Sequence, residues 1–592
     1  MRLTLQRKDI PVYDKRFPNA LTILLILLLN CVVGFGAIRV LSTPFTVPNL
    51  AINSAPVLAV TAVLWIHVMS ATQHFSESPP VLQISRYSPL VLVLTALICV
   101  PLALLVIFTT SRLGSTDSAI ALITVSGCAG IILLTIRKIN WGPCSLLLLL
   151  PLGLILHAAI RANQLATDEL GYIIWNPEML LLLAAGLGVF LHSLRSKEGL
   201  VLSWLTPILL FFLFWTVLSA ALSADPQYSI RVVIAGTLMP ILAYYLFINA
   251  IKSRDDFKRT VHVFVTSFFL LGAYSLVRTV QLSQGQDILS GDIRVSPLVM
   301  NPADVGGVLL LGLSLTAGII LARSNSLQMR VALIIGFTML AFALMMTFTR
   351  GSWMAGAISL LILLALNTRF RKLALLSLPA ILFIFALAKD LIVQLAFTRT
   401  ISLDVFFQSN PWLGRVAAWD SAANMISANP LVGIGPGLYR EYYREFETAT
   451  YFWAAMADAH SLPLELASNS GIVAAVAFLA VIGIVLWMAY RVYRSSEDDF
   501  MRYSALGLFV ALIAFLVYSS TSGSQLVSVT RDRLYFFGGH TYYLFMFFGL
   551  VSALYRLSKQ DEIAKKEDHP ERPMVVSSGD DMRGDSPRSL KR

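Results

Sequence analysis

Apolar stretches close to 20 residues long recur along most of this chain, and no other feature limits its fold as strongly. A helix rises about 1.5 Å per residue, so ~20 residues cross the ~30 Å hydrocarbon layer of a bilayer. A helix also satisfies its own backbone hydrogen bonds, which lipid cannot do for it. Strands of about ten alternating residues, the mark of a membrane barrel, are absent from the sequence. Only 13% of residues are charged and 57% are hydrophobic. Soluble domains carry about 25% charged residues. The expected fold class is therefore all-α, a polytopic helical membrane protein.

About sixteen spans can be drawn. They lie near 20–40, 51–70, 89–109, 118–136, 143–160, 178–194, 201–222, 232–251, 260–280, 303–322, 331–347, 353–367, 373–396, 462–490, 504–521 and 539–555. The first has too long an apolar run, and no small-residue cleavage site after it, to be a cleaved signal. Residues 1–200 read as an accessory set of N-terminal helices, and 201–555 as the main membrane domain with one long polar loop at 398–461. The tail 556–592 mixes both charge signs with Pro, Ser and Gly, and is expected to be disordered.

Basic residues orient the spans, because Lys and Arg concentrate in cytoplasmic loops. With both termini inside, 31 of the 45 basic residues fall on the inner side. The outer segments hold 13, and every one is Arg. Arg is the side chain suited to gripping phosphate with a planar fork. The net charge of +11 lies mostly in short inner loops, so topology and anionic lipid explain it and nucleic acid is not an expected partner. Cys31, Cys99, Cys128 and Cys144 lie in or beside early spans and read as buried thiols.

The outer segments carry the candidate chemistry. Arg231 opens a span after Ser223-Ala-Asp225-Pro, and Arg294 precedes Asn301-Pro302. Arg350 sits in the tight reversal Thr349-Arg350-Gly351-Ser352, a compact place to hold phosphate at headgroup level. In the long loop, Gly414-Arg415-x3-Trp419 is followed by Pro430-x2-Gly433-x-Gly435-Pro-Gly437 and then by Asp458-Ala-His460. Arg415 and Trp419 share a face if this segment is helical, and Asn429-Pro430 ends that helix. The glycines form no dinucleotide fingerprint, since no strand precedes them; they let backbone approach a ligand or a helix closely. Tyr439 to Phe446 interleaves aromatics with charges and suits an amphipathic helix on the membrane surface. His460 stands two residues before a span, where an imidazole can take a proton near neutral pH. No second outward His or Cys stands at metal-ligand spacing, so neither a metal nor another cofactor is expected.

Outside the plasma membrane a bond-forming enzyme needs a donor that has crossed already activated. A lipid-linked pyrophosphate sugar is such a donor, and fixed Arg side chains can stabilise its leaving group.

The set Thr349-Arg350-Gly351, Gly414-Arg415-x3-Trp419, Pro430-x2-Gly433-x-Gly435 and His460 resembles the O-antigen ligase and Wzy-type O-antigen polymerase family of bacterial membrane glycosyltransferases, over roughly residues 200–490. The resemblance implies a membrane glycosyltransferase (GT-C-like) fold in the bacterial inner membrane, with residues 201–555 as the catalytic membrane domain and the long loop 398–461 in the periplasm. It also implies an undecaprenyl-pyrophosphate-linked glycan donor, a glycan or glycolipid acceptor, and metal-independent, inverting transfer at the periplasmic face. By it, Arg350 and Arg415 bind pyrophosphate and His460 activates the acceptor. Arg294, Arg231, Trp419, Thr349, Gly433 and Gly435 contribute to binding. Membrane lipid and other polysaccharide-assembly proteins are the further partners. The family often places Asn, an aromatic, a Glu nine residues on and a Gly after its His; here these positions hold Ser461, Pro463, Asn469 and Gly471. That departure favours polymerase or exopolysaccharide assembly over ligation, and both stay open. A flippase or transporter of lipid-linked saccharides is the alternative; it would need charges at mid-membrane depth, whereas the conspicuous ones here cluster at one face.

Overall fold

The structure is a computed structural model. It describes residues 127–162, 177–196, 199–283, 302–367, 371, 410–447, 458–520 and 539–568. Regular structure there is helical, with no strand among the described residues. The chain begins with α1 (Gly127–Arg137), α2 (Trp141–Ala162), α3 (Pro177–Ser196) and α4 (Thr206–Leu222). It continues through α5 (Pro226–Ala250), α6 (Arg254–Ser283), α7 (Pro302–Ile320), α8 (Leu327–Met345) and α9 (Arg350–Leu366). Then come α10 (Asn410–Ala428), the single turn α11 (Tyr439–Tyr442), α12 (Leu462–Ser495), α13 (Asp499–Ser519) and α14 (Gly539–Asp568).

Seven of the described helices are long and apolar enough to cross a membrane: α3, α5, α6, α7, α8, α12 and α13. The expected spans at 20–40, 51–70, 89–109 and 373–396 lie outside the described residues, and 118–136 does so in part. α14 does not stop near residue 555 but runs on to Asp568, so the first part of the tail is helical and not disordered. Contacts explain the extension. Arg254 pairs with Asp561 at 2.6 Å, Lys559 pairs with Glu562 at 2.6 Å, and the Arg556 guanidinium donates to the Ile251 carbonyl.

α7 is the hub, buried continuously from Asp304 to Ile319. It crosses α13 so closely that a Cβ on Gly318 would come within 2.5 Å of Gly507 Cα. Small residues give membrane helices this close backbone contact. α8, by contrast, exposes Leu327, Ile335 and Met345, which suits a surface turned to lipid. In α5 the turn Ile234–Leu238 widens to a π-helix, with Met239 N–H donating to Ile234 O. Pro240 has no N–H for residue 236 and crowds its carbonyl; the widened turn relieves that conflict.

Helix ends gather into two groups. Asp498, 3.9 Å from Arg254 and 3.8 Å from Lys258, marks one end together with Tyr493, whose hydroxyl donates to Leu366 O at 2.7 Å. At the opposite end Tyr518 donates to Ala303 O at 2.5 Å, and Ser219 donates to Val432 O at 2.5 Å. The Arg, Gly and His motifs lie at this second end, the one the loop charges assign to the outer face.

Candidate active site

Two stretches of irregular backbone, one on each side of residues 448–457, are locked together at this end. The first follows α10. That helix stops at Ala428, just before Asn429-Pro430, because proline disfavours helical geometry in the residue ahead of it. The second is a break inside α12, where Gly471 adopts φ 84°, ψ 162°. Ile434 N–H donates to Ser468 O at 2.9 Å, Gly435 N–H to Asn469 O at 2.9 Å, and Ile472 N–H to Pro430 O at 2.9 Å. Carbonyls freed by the broken helix thus find their donors in the loop. Ser219 of α4 clamps both stretches, donating to Val432 O and, at 3.1 Å, to Asn469 O. Trp215 Nε1 donates to Leu431 O at 2.9 Å.

The glycines make this contact possible. Gly433, Gly435 and Gly437 all have positive φ, at 70°, 119° and 81°. A Cβ on Gly433 would lie 2.5 Å from the Asn469 carbonyl, and one on Gly471 only 1.8 Å from Leu431 O. Of the two roles read for this motif, approach to a ligand or to a helix, the contacts formed by Gly433 and Gly435 are with a helix.

His460 occupies the turn that enters α12, and its backbone is left-handed at φ 48°. Such a conformation costs a non-glycine residue about 1–3 kcal/mol unless its surroundings hold it. Here Asp458 Oδ1 accepts the His460 backbone N–H at 2.6 Å. The same oxygen lies 3.1 Å from His460 Nδ1, an ion-pair distance without hydrogen-bond alignment. The imidazole keeps 29% of its surface and the Asp458 side chain 11%. Behind them, Glu465 accepts Ala459 N–H at 2.7 Å and Asn469 Nδ2 at 2.6 Å, and Asn469 in turn accepts Tyr439 N–H at 3.2 Å. Asn469 stands where the resembled family often has Glu. Here Glu465, one turn nearer the His, supplies a carboxylate and braces that Asn.

α10 is helical across Gly414–Trp419, so Arg415 and Trp419 share a face as expected, both half-buried. Burial draws the Arg415 guanidinium below its ordinary value, and the Asp458 carboxylate opposes that shift. Asp458, the carboxylate beside His460, is thus also the one whose charge acts on Arg415. Asp304, near the start of α7, is also electrostatically coupled to Asp458.

Arg350 is the first residue of α9 and is exposed, with Thr349 as the cap residue. Its turn packs on Gly306 of α7: a Cβ there would sit 2.4 Å from Ser352 Oγ. Thr349 Oγ1 donates to Thr347 O at 3.3 Å, and Phe348 just before it is left-handed at φ 48°. Arg231 is in a different setting. It is 7% exposed inside α5, one turn ahead of the π segment and near the outer start of the helix. Its neighbour Val232 packs on Gly437, which seats that helix against the loop. Arg294 lies outside the described residues.

A cavity of about 50 Å³ lies behind the His460 turn, among Thr216, Thr237, Gly437, Glu465 and Asn469. Arg350, Arg415 and His460 do not line it; Glu465, which accepts the Ala459 N–H beside His460, does. The aromatic segment beside it does not lie flat as a surface helix. Tyr439 and Tyr443 are buried, Tyr439 donates to Ala418 O of α10 at 2.6 Å, and Tyr443 to Glu447 Oε1 at 3.3 Å. Among the described residues, no group of three His, Cys, Asp or Glu is placed to hold a metal ion.

Reading the sequence passed over Asp304 and Glu465. Their signal was present: an acidic residue within a membrane helix marks a functional position by default. The family model described as O-antigen ligase matches residues 334–479. That segment holds Thr349, Arg350, Arg415, Trp419, Gly433, Gly435 and His460, and leaves Arg231 and Arg294 outside. No curated protein matches the chain.

Proposed function

From the match of residues 334–479 to the O-antigen ligase family model, we propose that this chain is a membrane glycosyltransferase of cell-surface polysaccharide assembly. The donor is an undecaprenyl-pyrophosphate-linked glycan and the acceptor a glycan or glycolipid hydroxyl. Transfer takes place at the periplasmic face of the inner membrane, with both termini cytoplasmic and residues 201–555 forming the catalytic domain.

His460 Nε2 takes the proton from the acceptor hydroxyl. The acceptor oxygen attacks the anomeric carbon from the side opposite the pyrophosphate, inverting that centre. The bond from the anomeric carbon to the pyrophosphate oxygen breaks, and its electron pair leaves with the lipid pyrophosphate. Arg415 and Arg350 stabilise the growing negative charge, which a metal would otherwise do. A charge-assisted hydrogen bond contributes about 1.5–3 kcal/mol. Two of them supply a factor of roughly 10²–10⁴ in rate. A half-buried guanidinium such as Arg415 is more effective than an exposed one, because water screens it less.

The observation that carries this reading is the His460 turn, with Asp458 Oδ1 3.1 Å from Nδ1, inside the matched segment that also holds Arg350 and Arg415. The test uses the full-length protein in lipid vesicles, with donor purified from the lipids of the producing cells. Arg415→Ala and His460→Ala should each lower transfer at least about 100-fold while membrane insertion is kept. Wild-type product from either variant removes that residue from the mechanism.

A further inference from the structure

We infer that Asp458 is the positioning residue of the transfer reaction, holding the His460 imidazole with Nε2 free for the acceptor hydroxyl. This inference rests on the reading of His460 as the general base. One carboxylate oxygen acts on His460 twice. It accepts the backbone N–H at 2.6 Å, which holds the turn in its left-handed conformation, and it faces Nδ1 at 3.1 Å. Nδ1 is shielded from solvent while 29% of the side chain remains open, so Nε2 is the nitrogen left for a ligand. The backbone bond sets where the ring stands, and a carboxylate at ion-pair distance from Nδ1 stabilises the imidazolium that forms when the proton arrives at Nε2.

The surroundings of Asp458 fit this role. Its carboxylate also acts electrostatically on Arg415 of α10. Asp304 of α7, Glu465 of α12, Tyr439 of α11 and Tyr518 of α13 are the other ionisable groups coupled to it. Glu465 is itself held by Ala459 N–H and Asn469. Asp458 thus acts on both the proposed base and the proposed phosphate-binding cation.

The test separates the two contacts. Asp458→Asn keeps an oxygen that can accept the backbone N–H but removes the charge facing Nδ1; Asp458→Glu keeps the charge. With full-length protein in vesicles and the purified lipid-linked donor, D458N should lower kcat about 100-fold with an unchanged KM for donor. D458E should recover at least about tenfold over D458N. Melting temperatures near that of the wild type will show that the turn still folds. A D458N variant working at the wild-type rate makes Asp458 a backbone brace only and overturns the inference. So does D458E no faster than D458N. His460→Ala discriminates the underlying reading: if it is fully active the base itself is lost. If it is inactive while D458N is at the wild-type rate, only the role of Asp458 fails.

Discussion

Replacing Gly471 with alanine should disable transfer while leaving the membrane bundle folded. Gly471 holds φ 84°, ψ 162°, a region that residues with a side chain enter at a cost of about 1–3 kcal/mol. The added Cβ would lie 1.8 Å from Leu431 O and 2.8 Å from Val432 N, so the loop must move away. That movement breaks the bonds Ile434 N–H to Ser468 O, Gly435 N–H to Asn469 O, and Ile472 N–H to Pro430 O. Each contributes about 0.5–1.5 kcal/mol net. Together the local penalty is about 3–7 kcal/mol. It falls on the contact between loop and helix and not on α7 or α13, whose packing lies elsewhere. The loop leads into α11, where Tyr439 is tied to Asn469 and so to Glu465 and the His460 turn. Undocking the loop therefore loosens the His460 turn. Gly483→Ala in the same helix is the control, because a Cβ there meets nothing within 4 Å. Transfer activity in vesicles, with amide hydrogen exchange at Ile434 and Gly435, reads the result. Wild-type activity and unchanged protection in Gly471→Ala would refute the claim that this pairing organises the site.

Transfer should proceed at the same rate in excess EDTA as in buffer, because guanidinium groups are assigned the leaving-group charge. Loss of activity in the chelator that magnesium restores would replace that assignment. Alkaline stability offers a separate check. Burial pushes the Tyr443 hydroxyl up to about 12, with the Glu447 carboxylate adding to the shift. A tyrosine that ionises more easily in the unfolded chain, near pH 10, contributes stability that is whole below that pH and is lost as pH rises toward 12. Tyr443→Phe should therefore lose less stability than the wild type between pH 10 and 12, as read from melting temperatures; identical profiles would show that this ring is not shielded.

Much of the fold was legible because it is local. Apolar run length gives spanning helices, and the i, i+4 spacing of Arg415 and Trp419 gives their common face once α10 forms. The stop at Asn429-Pro430 follows from proline sterics. Glu465 was missed because it reads as a polar residue at a span entrance; its value shows only when Ala459 N–H and Asn469 are found on its two oxygens. Arg231 reads as the outer start of a span, but that its turn of α5 is buried follows only from the packing.

The sequence alone determined a helical membrane protein with Arg, Trp, Gly and His motifs at one end of its helices, since composition and periodicity act over a few residues at a time. Only the tertiary structure decided what those motifs touch. Ser219 reaches Asn469 across 250 positions, and Ile434 reaches the broken helix at Ser468. Such contacts depend on how the helices pack against one another, and spacing along the chain carries no record of that.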